Sequence, residues 1–428
     1  MRVTPAVGLV ARAAACALVL GACGQQAQVV AASGRYDRQQ LERTLASEDV
    51  PAGVLLGEFL LQNKPVVDGD TIKVVGLDAS LRLIGLDSEE TFKSDKALRA
   101  YEVGFQEYLR NEQKKTSRPV KVPTPVGMAA KKFAEAFFAG VTSVRLERDH
   151  PKDIRDRYNR YLAYAFVKKD GKWVNYNVEC VRAGMSPYFS KYGRATRFHE
   201  AFVEAQREAQ AAKRGIWEPG AEHYLDYPAR LAWWDARAAF VTEFQTAAKS
   251  KDDFVALTHW DSLDRLEGFV GSEVEILATV GDIRIGKGGA PTRAMLARRM
   301  FSDFALVFFD DEVFAASRIA EAKGEFVRVR GAISEYQFKG KRGRKGEKQL
   351  QMVIQRPEQI TFVDTWSAAA ELMPSAASPP PGDPTVPDPA AASATTDPAP
   401  VDPTNAERPL SPESTDLAPT DNTAPPAF

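Results

Sequence analysis

Residues 66–90 limit what this chain can fold into more tightly than any other stretch. They read Val-Val-Asp-Gly-Asp-Thr-Ile-Lys-Val-Val-Gly-Leu-Asp-Ala-Ser-Leu-Arg-Leu-Ile-Gly-Leu-Asp-Ser-Glu-Glu. Two runs of β-branched and apolar residues, 71–75 and 80–86, flank the turn-prone Gly76-Leu77-Asp78-Ala79, which predicts a β-hairpin. A hairpin centred near Asp78 brings Asp70 and Asp87 within a residue or two of being cross-strand partners, a few ångströms apart. Neighbouring carboxylates repel unless something neutralises them, and a hard divalent cation with oxygen ligands does so. The same segment carries Arg82, whose guanidinium suits phosphate oxygens. It also carries Glu90, a third carboxylate free to act as a base.

With these residues in register, the segment resembles the catalytic hairpin of the staphylococcal-nuclease-like (thermonuclease) family. Asp68-Gly69-Asp70-Thr71 and Arg82-Leu83-Ile84-Gly85-Leu86-Asp87-Ser88-Glu89-Glu90 match its pattern, with Ser88 in place of the usual Thr and Glu89 in place of the usual Pro. A second signature, Asp156-Arg157-Tyr158-Asn159-Arg160-Tyr161-Leu162-Ala163-Tyr164, is similar too, with Asn159 where Gly is usual. The resemblance covers residues 53–219 and implies a five-stranded OB barrel with packed helices. It also implies a calcium ion held by Asp70, Asp87 and the backbone carbonyl of Ser88, with Glu90 orienting or deprotonating water. Arg82 and Arg160 are then the phosphate clamp, and the products of DNA and RNA carry 3′-phosphates.

The N-terminus reads as a targeting segment. Arg2 and Arg12 precede an apolar run, residues 13–22, too short to span a membrane, and Leu20-Gly21-Ala22-Cys23 resembles a bacterial lipobox. The expectation is a signal peptide (1–22), a lipid-modified Cys23, a tether (23–50), and export to the cell envelope facing the periplasm or exterior, on the outer membrane if the cell is Gram-negative. Cysteine usage agrees: beyond Cys16 and Cys23 there is only Cys180, in an apolar helical context that suits a small buried hydrophobe. Four histidines, none beside a second His or Cys at ligand spacing, argue against a zinc site.

Between Glu90 and the next helix (128–138), an insertion at 91–126 carries Leu98, Tyr101, Phe105, Tyr108 and Leu109 at helical spacing. Its eight basic and four acidic residues include Lys114 and Lys115. These two lysines and Arg157 are candidate phosphate-backbone contacts.

Beyond 219 a helix (229–248) precedes five predicted strands (274–280, 305–309, 326–333, 350–354, 360–363), with a helix at 313–322 between the second and third. This suggests a second OB-like domain over 221–366, after the nuclease-like domain at 51–220. Its loop 338–348 holds six basic residues against one acid; Lys341, Arg342, Arg344 and Lys345, with Tyr336 and Phe338, suit a grip on single-stranded nucleic acid. From 367 the composition becomes Pro, Ala, Ser, Thr and Asp, predicting a disordered tail. From 371 onward the net charge is −8; set against −1 for the whole chain, this leaves the first 370 residues at +7, compatible with a polyanionic partner. The expected protein is an α+β, lipid-anchored, calcium-dependent nuclease. A catalytically silent nucleic-acid-binding module is one alternative, disfavoured because every expected catalytic position is filled; an envelope adaptor whose second domain binds protein or polysaccharide, with nuclease activity incidental, is another.

Overall fold

A computed structural model describes residues 29–30 and 54–373, apart from 117, 154, 157, 298–303 and 340–344; at 29–30, 338–339 and 345–347 only the backbone is described. Cys23, Arg157, Lys341, Arg342, Arg344 and the tail beyond 373 therefore lie outside the described residues, and of Lys345 only the backbone is described.

The first barrel is built from β1 (Leu55–Asp68), β2 (Thr71–Val74), β3 (Leu81–Leu83), β4 (Ser143–Glu147) and β5 (Tyr161–Lys169). The long β1 pairs with β4 along its first half and with β2 along its second, so one strand closes the circuit β1-β2-β3-β5-β4. The β3–β5 pair is parallel and all others in the circuit are antiparallel, which is an OB topology. Alternation along the strands turns Phe59, Ile72, Val74, Leu81, Leu83, Val144, Leu146, Ala163 and Val167 into a common core. A short β6 (Lys172–Asn175) follows the Asp170-Gly171 turn, both residues having positive φ. Val29–Val30, expected in a featureless tether, instead pairs in parallel with Glu58 and Phe59.

The predicted insertion helix is two helices, α1 (Asp95–Tyr101) and α2 (Phe105–Gln113), broken at Gly104 with φ 105°. Then α3 (Pro125–Phe137), α4 (Tyr176–Arg182) and α5 (His199–Ala211) cover the barrel. The start of α3 is set by Thr124, whose hydroxyl caps the Gly127 amide at 3.0 Å, and by Pro125 in the first turn. Cys180, on α4, is fully buried, and burial pushes its thiol up to about 12.

After α6 (Tyr227–Ala248) come β7 (Phe254–Ala256), α7 (Ser262–Glu267) and a second closed barrel. Its strands are β8 (Glu273–Arg284), β9 (Thr292–Ala297), β10 (Phe304–Phe308), β11 (Phe326–Lys339) and β12 (Lys345–Val353). The circuit β8-β9-β10-β12-β11 repeats the connectivity of the first barrel, including a parallel β10–β12 pair, with helix α8 (Asp311–Ser317) between the third and fourth strands. The sequence reading reaches the fold class but misplaces one strand. Thr292–Ala297 reads Thr-Arg-Ala-Met-Leu-Ala, without a β-branched residue after the first, and takes its strand form from pairing on both sides. The expected last strand is only Ile360–Thr361 on the barrel's edge. The start of the expected tail is also packed: Ser367–Ala370 is helical and Ala369 is buried beside Trp233 and Trp366.

Helix α6 joins the two barrels. Trp233 and Trp234 pack with Phe189 and Trp366, while Phe240, Val241 and Phe244 pack with Phe254, Leu277 and Phe326. It also buries Arg237, which donates to the Lys191 carbonyl at 3.1 Å and the Gly324 carbonyl at 3.2 Å and pairs with Glu325. Glu325 further takes Arg118 of the insertion at 3.2 Å and the Thr365 hydroxyl at 2.9 Å. Removing one side of such a buried pair leaves a bare charge, so Glu325→Ala should cost about 3–5 kcal/mol in denaturant unfolding. A loss below about 1 kcal/mol would mean that water reaches the pair.

Candidate active site

The β2–β3 register sets the site. Thr71 faces Arg82 and Ile72 faces Leu81, so the Leu83 amide bonds the Asp70 carbonyl at 2.9 Å. Asp87 is therefore not the cross-strand partner of Asp70, as the hairpin reading expected; the hairpin is centred between Gly76 and Leu77 and β3 is shorter than predicted. Asp87 returns by a turn at Gly85, whose φ is +77° and whose missing Cβ would sit 2.6 Å from the Phe202 ring. A side chain there is excluded both by backbone conformation and by the close packing of α5.

Arg82 nonetheless joins the two carboxylates. One Nη pairs with Asp70; the other donates to Asp87 Oδ1 at 3.0 Å and to the Leu86 carbonyl at 2.6 Å. The acids are fixed independently: Asp70 accepts from the Thr71 hydroxyl at 2.9 Å and the Ser88 amide at 3.2 Å, and the Asp87 amide donates to Ser186 Oγ at 2.8 Å. Burial opposes the charge on Arg82, but Asp70 and Asp87 outweigh it and hold its pKa above the ordinary value. Burial likewise pushes Asp87 up, but Lys121 and Arg82 pull it further down, so its net pKa is lowered.

Three contributors received no individual role in the sequence reading. Asp68, within the recognised motif but given no role, is raised from 3.8 to about 6, by burial first and by Asp70 second. Lys121 places Nζ 2.5 Å from Asp87 and over the Phe189 ring. It and Lys93, 3.8 Å from Asp68 and from Glu90, are the insertion's basic contributions to the site; Lys114 and Lys115 are exposed and pair with Asn111 and Glu112. Glu89, where the family has Pro, is 1 % exposed and accepts from the Thr124 hydroxyl, the Tyr224 amide at 2.7 Å and the Tyr227 hydroxyl at 2.7 Å. Its pKa is raised, burial being the largest cause. The departure from the family pattern at this position was the available signal.

Glu90 is held by its backbone, its carbonyl accepting from the Thr124 amide at 3.1 Å. A Cβ on Gly127 would lie 2.0 Å from that carbonyl, so only glycine lets α3 press this closely. The Glu90 carboxylate stays open, its side chain 41 % exposed and 3.8 Å from Lys93. Arg160 immediately precedes β5, two residues before Leu162, the partner of Arg82, and its guanidinium pairs with Asp156 at 2.7 Å and 2.9 Å rather than with Asp70 or Asp87. Asn159 takes the positive φ (66°) that explains the family's usual Gly there.

The groups a hard cation would use here are present, although Arg82 and Lys121 now pair with Asp70 and Asp87. The donors are all oxygen, several carboxylates crowd together, and Ser88 Oγ is buried with no hydrogen-bond partner among the described residues.

The family model for staphylococcal nuclease homologues matches residues 80–219. An uncharacterized protein of Methanocaldococcus jannaschii is 31% identical over 156 residues, covering 36% of this chain and 68% of that protein. The thermonuclease of Staphylococcus hyicus is 31% identical over 155 residues (36% of this chain, 72% of that one) and that of Staphylococcus intermedius 28% over 157 (36% and 74%). The chain belongs to the staphylococcal nuclease family, and that likeness lies in the first barrel and its helices; the family match ends before α6.

The raised pKa of Asp68 carries a sign. Its folded value lies above its unfolded one, so the stability it contributes is complete below pH 3.8 and is lost as pH rises through about 6. In EDTA, Asp68→Asn should therefore gain on the wild type across that window in denaturant midpoints. Parallel pH curves for the two proteins would assign the proton to another group.

Proposed function

We propose that this protein is an exported, calcium-dependent nuclease that hydrolyses phosphodiester bonds in DNA and RNA, with a preference for single strands and 3′-phosphate products. The observation that carries this reading is Arg82 seated between Asp70 and Asp87, with Glu90 open beside them. A calcium ion held by Asp70, Asp87 and the Ser88 carbonyl would neutralise phosphate charge and polarise water. Arg82, which pairs with both acids here, would yield them to the cation and turn to the phosphoryl oxygens, where it stabilises the charge that grows as the phosphorus becomes five-coordinate. Glu90 is solvent-accessible yet backbone-fixed, and orients or deprotonates the attacking water. Lys121 leaves Asp87 to bind a neighbouring phosphate. Arg160 turns from Asp156 to the scissile group, a swing that its 27 % exposed side chain allows.

Purified protein should degrade single-stranded DNA and RNA with calcium and stop in EDTA. Glu90→Gln and Arg82→Ala should each lose about 10²-fold or more in rate. Losses below about threefold in both would move the chemistry elsewhere. We also propose that Lys341, Arg342, Arg344 and Lys345 hold the polymer beside the second barrel, so that neutralising them flattens the salt dependence of long-substrate cleavage.

The anchor is proposed at Cys23. Membrane fractions should contain the mature protein, and Cys23→Ala should release it or block processing. A soluble wild-type protein with an unmodified N-terminus would overturn the anchor.

A further inference from the structure

The four histidines are far apart in sequence, yet folding brings two of them together at a place unrelated to the nuclease hairpin. His150 and Asp153 belong to the loop between β4 and β5, and His259 to the link between β7 and α7. The two imidazoles lie face to face, 4.8 Å between centroids and 13° between planes. One ligand atom from each of His150, Asp153 and His259 lies within 4.8 Å of the others. His259 Nε2 is 3.8 Å from Asp153 Oδ1. The loops are already joined: the Trp260 amide donates to the Lys152 carbonyl at 3.2 Å and Lys152 Nζ pairs with Asp261 at 2.6 Å.

Two buried polar atoms at this junction have no hydrogen-bond partner among the described residues, His259 Nδ1 and Asp261 Oδ1. We propose that His150, Asp153 and His259 form a transition-metal site of the zinc class that clasps the β4–β5 loop of the first barrel to the segment leading into the second. Two imidazoles and a carboxylate are donors for that class, not for calcium, which takes oxygen. Burial keeps both imidazoles toward their neutral, ligating form. His150 Nδ1 now accepts the Lys152 amide at 3.1 Å, so ligation there exchanges a hydrogen bond for a metal bond. Ligation by His259 Nε2 leaves Nδ1–H to donate, and Asp261, whose charge acts on both rings, is the carboxylate available to receive it. A tetrahedral zinc ion sets its ligand atoms about 3.4 Å apart and lies in the plane of each imidazole it binds, so ligation would turn one ring out of the stack, draw the ligand atoms together by roughly an ångström and leave the fourth position for water.

The test uses the full chain in detergent, stripped with EDTA, dialysed, and saturated with calcium to fill the nuclease hairpin. Titration with Co2+ should show the visible d–d bands of a four-coordinate site at one equivalent, and Zn2+ should abolish them and raise the melting temperature. His150→Gln and His259→Gln should lose the bands and the metal-induced shift while retaining the metal-free melting temperature. Asp87→Ala should keep both the bands and the shift. Asp261→Asn, which leaves all three ligands in place, should weaken Co2+ binding about 10-fold or more. No stoichiometric Co2+ site in the wild type, or bands that survive both His variants, would overturn the proposal. If the His variants fail to fold, unchanged Co2+ affinity in Asp261→Asn would overturn it as well.

Discussion

A guanidinium between two carboxylates, withdrawn from bulk water, is the interaction on which this molecule turns. Each of the three charges would be costly to bury alone, and together they are tolerable only while the geometry is exact enough for the hydrogen bonds to be made. The hairpin therefore has to be rigid. Arg82 is on a strand flanked on both sides, Asp70 is tied to Thr71 and Ser88, and Asp87 is tied to Ser186 of the segment after α4. Much of the barrel's local design, including the bare Gly85 against Phe202 and Gly127 against Glu90, holds those groups at their separation.

The site is also coupled to the rest of the chain by residues that perform no chemistry. Glu89, between a candidate ligand and the candidate base, is anchored by Tyr224 and by Tyr227 at the start of α6. Arg230 of the same helix pairs with Asp226 and reaches the Val120 carbonyl, next to Lys121. Arg118 lies over Trp233 and Trp366 and pairs with Glu325 at the foot of the second barrel. The insertion thus fills the space between the hairpin, α6 and the second barrel, and its aromatic stripe is partly absorbed there: Phe105, Tyr108 and Leu109 are buried, while Leu98 remains 43 % exposed.

The repeated OB circuit shows why some strands are legible in their own residues and others are not. In the first barrel, Thr71–Val74 is β-branched at Thr71, Ile72 and Val74, and Ser143–Glu147 alternates Val144 and Leu146 with polar residues, so the pattern is local. In the second, Thr292–Ala297 is a strand only because Phe304–Phe308 and Glu273–Arg284 pair with it on either side. No window of its own residues carries that information.

Read as sequence alone, the chain determined the catalytic-type hairpin, the family, and two barrels with helices between them. These rest on patterns that recur within a few residues: alternation, turn glycines, and acids and arginines at fixed spacing. Only the tertiary structure decided which basic residue of the insertion meets Asp87, what Glu89 does, and that His150 and His259 stack. Each of these depends on partners brought together from distant parts of the chain, 34 residues apart for Lys121 and Asp87 and 135 for Glu89 and Tyr224, by the packing of elements whose own patterns say nothing about one another.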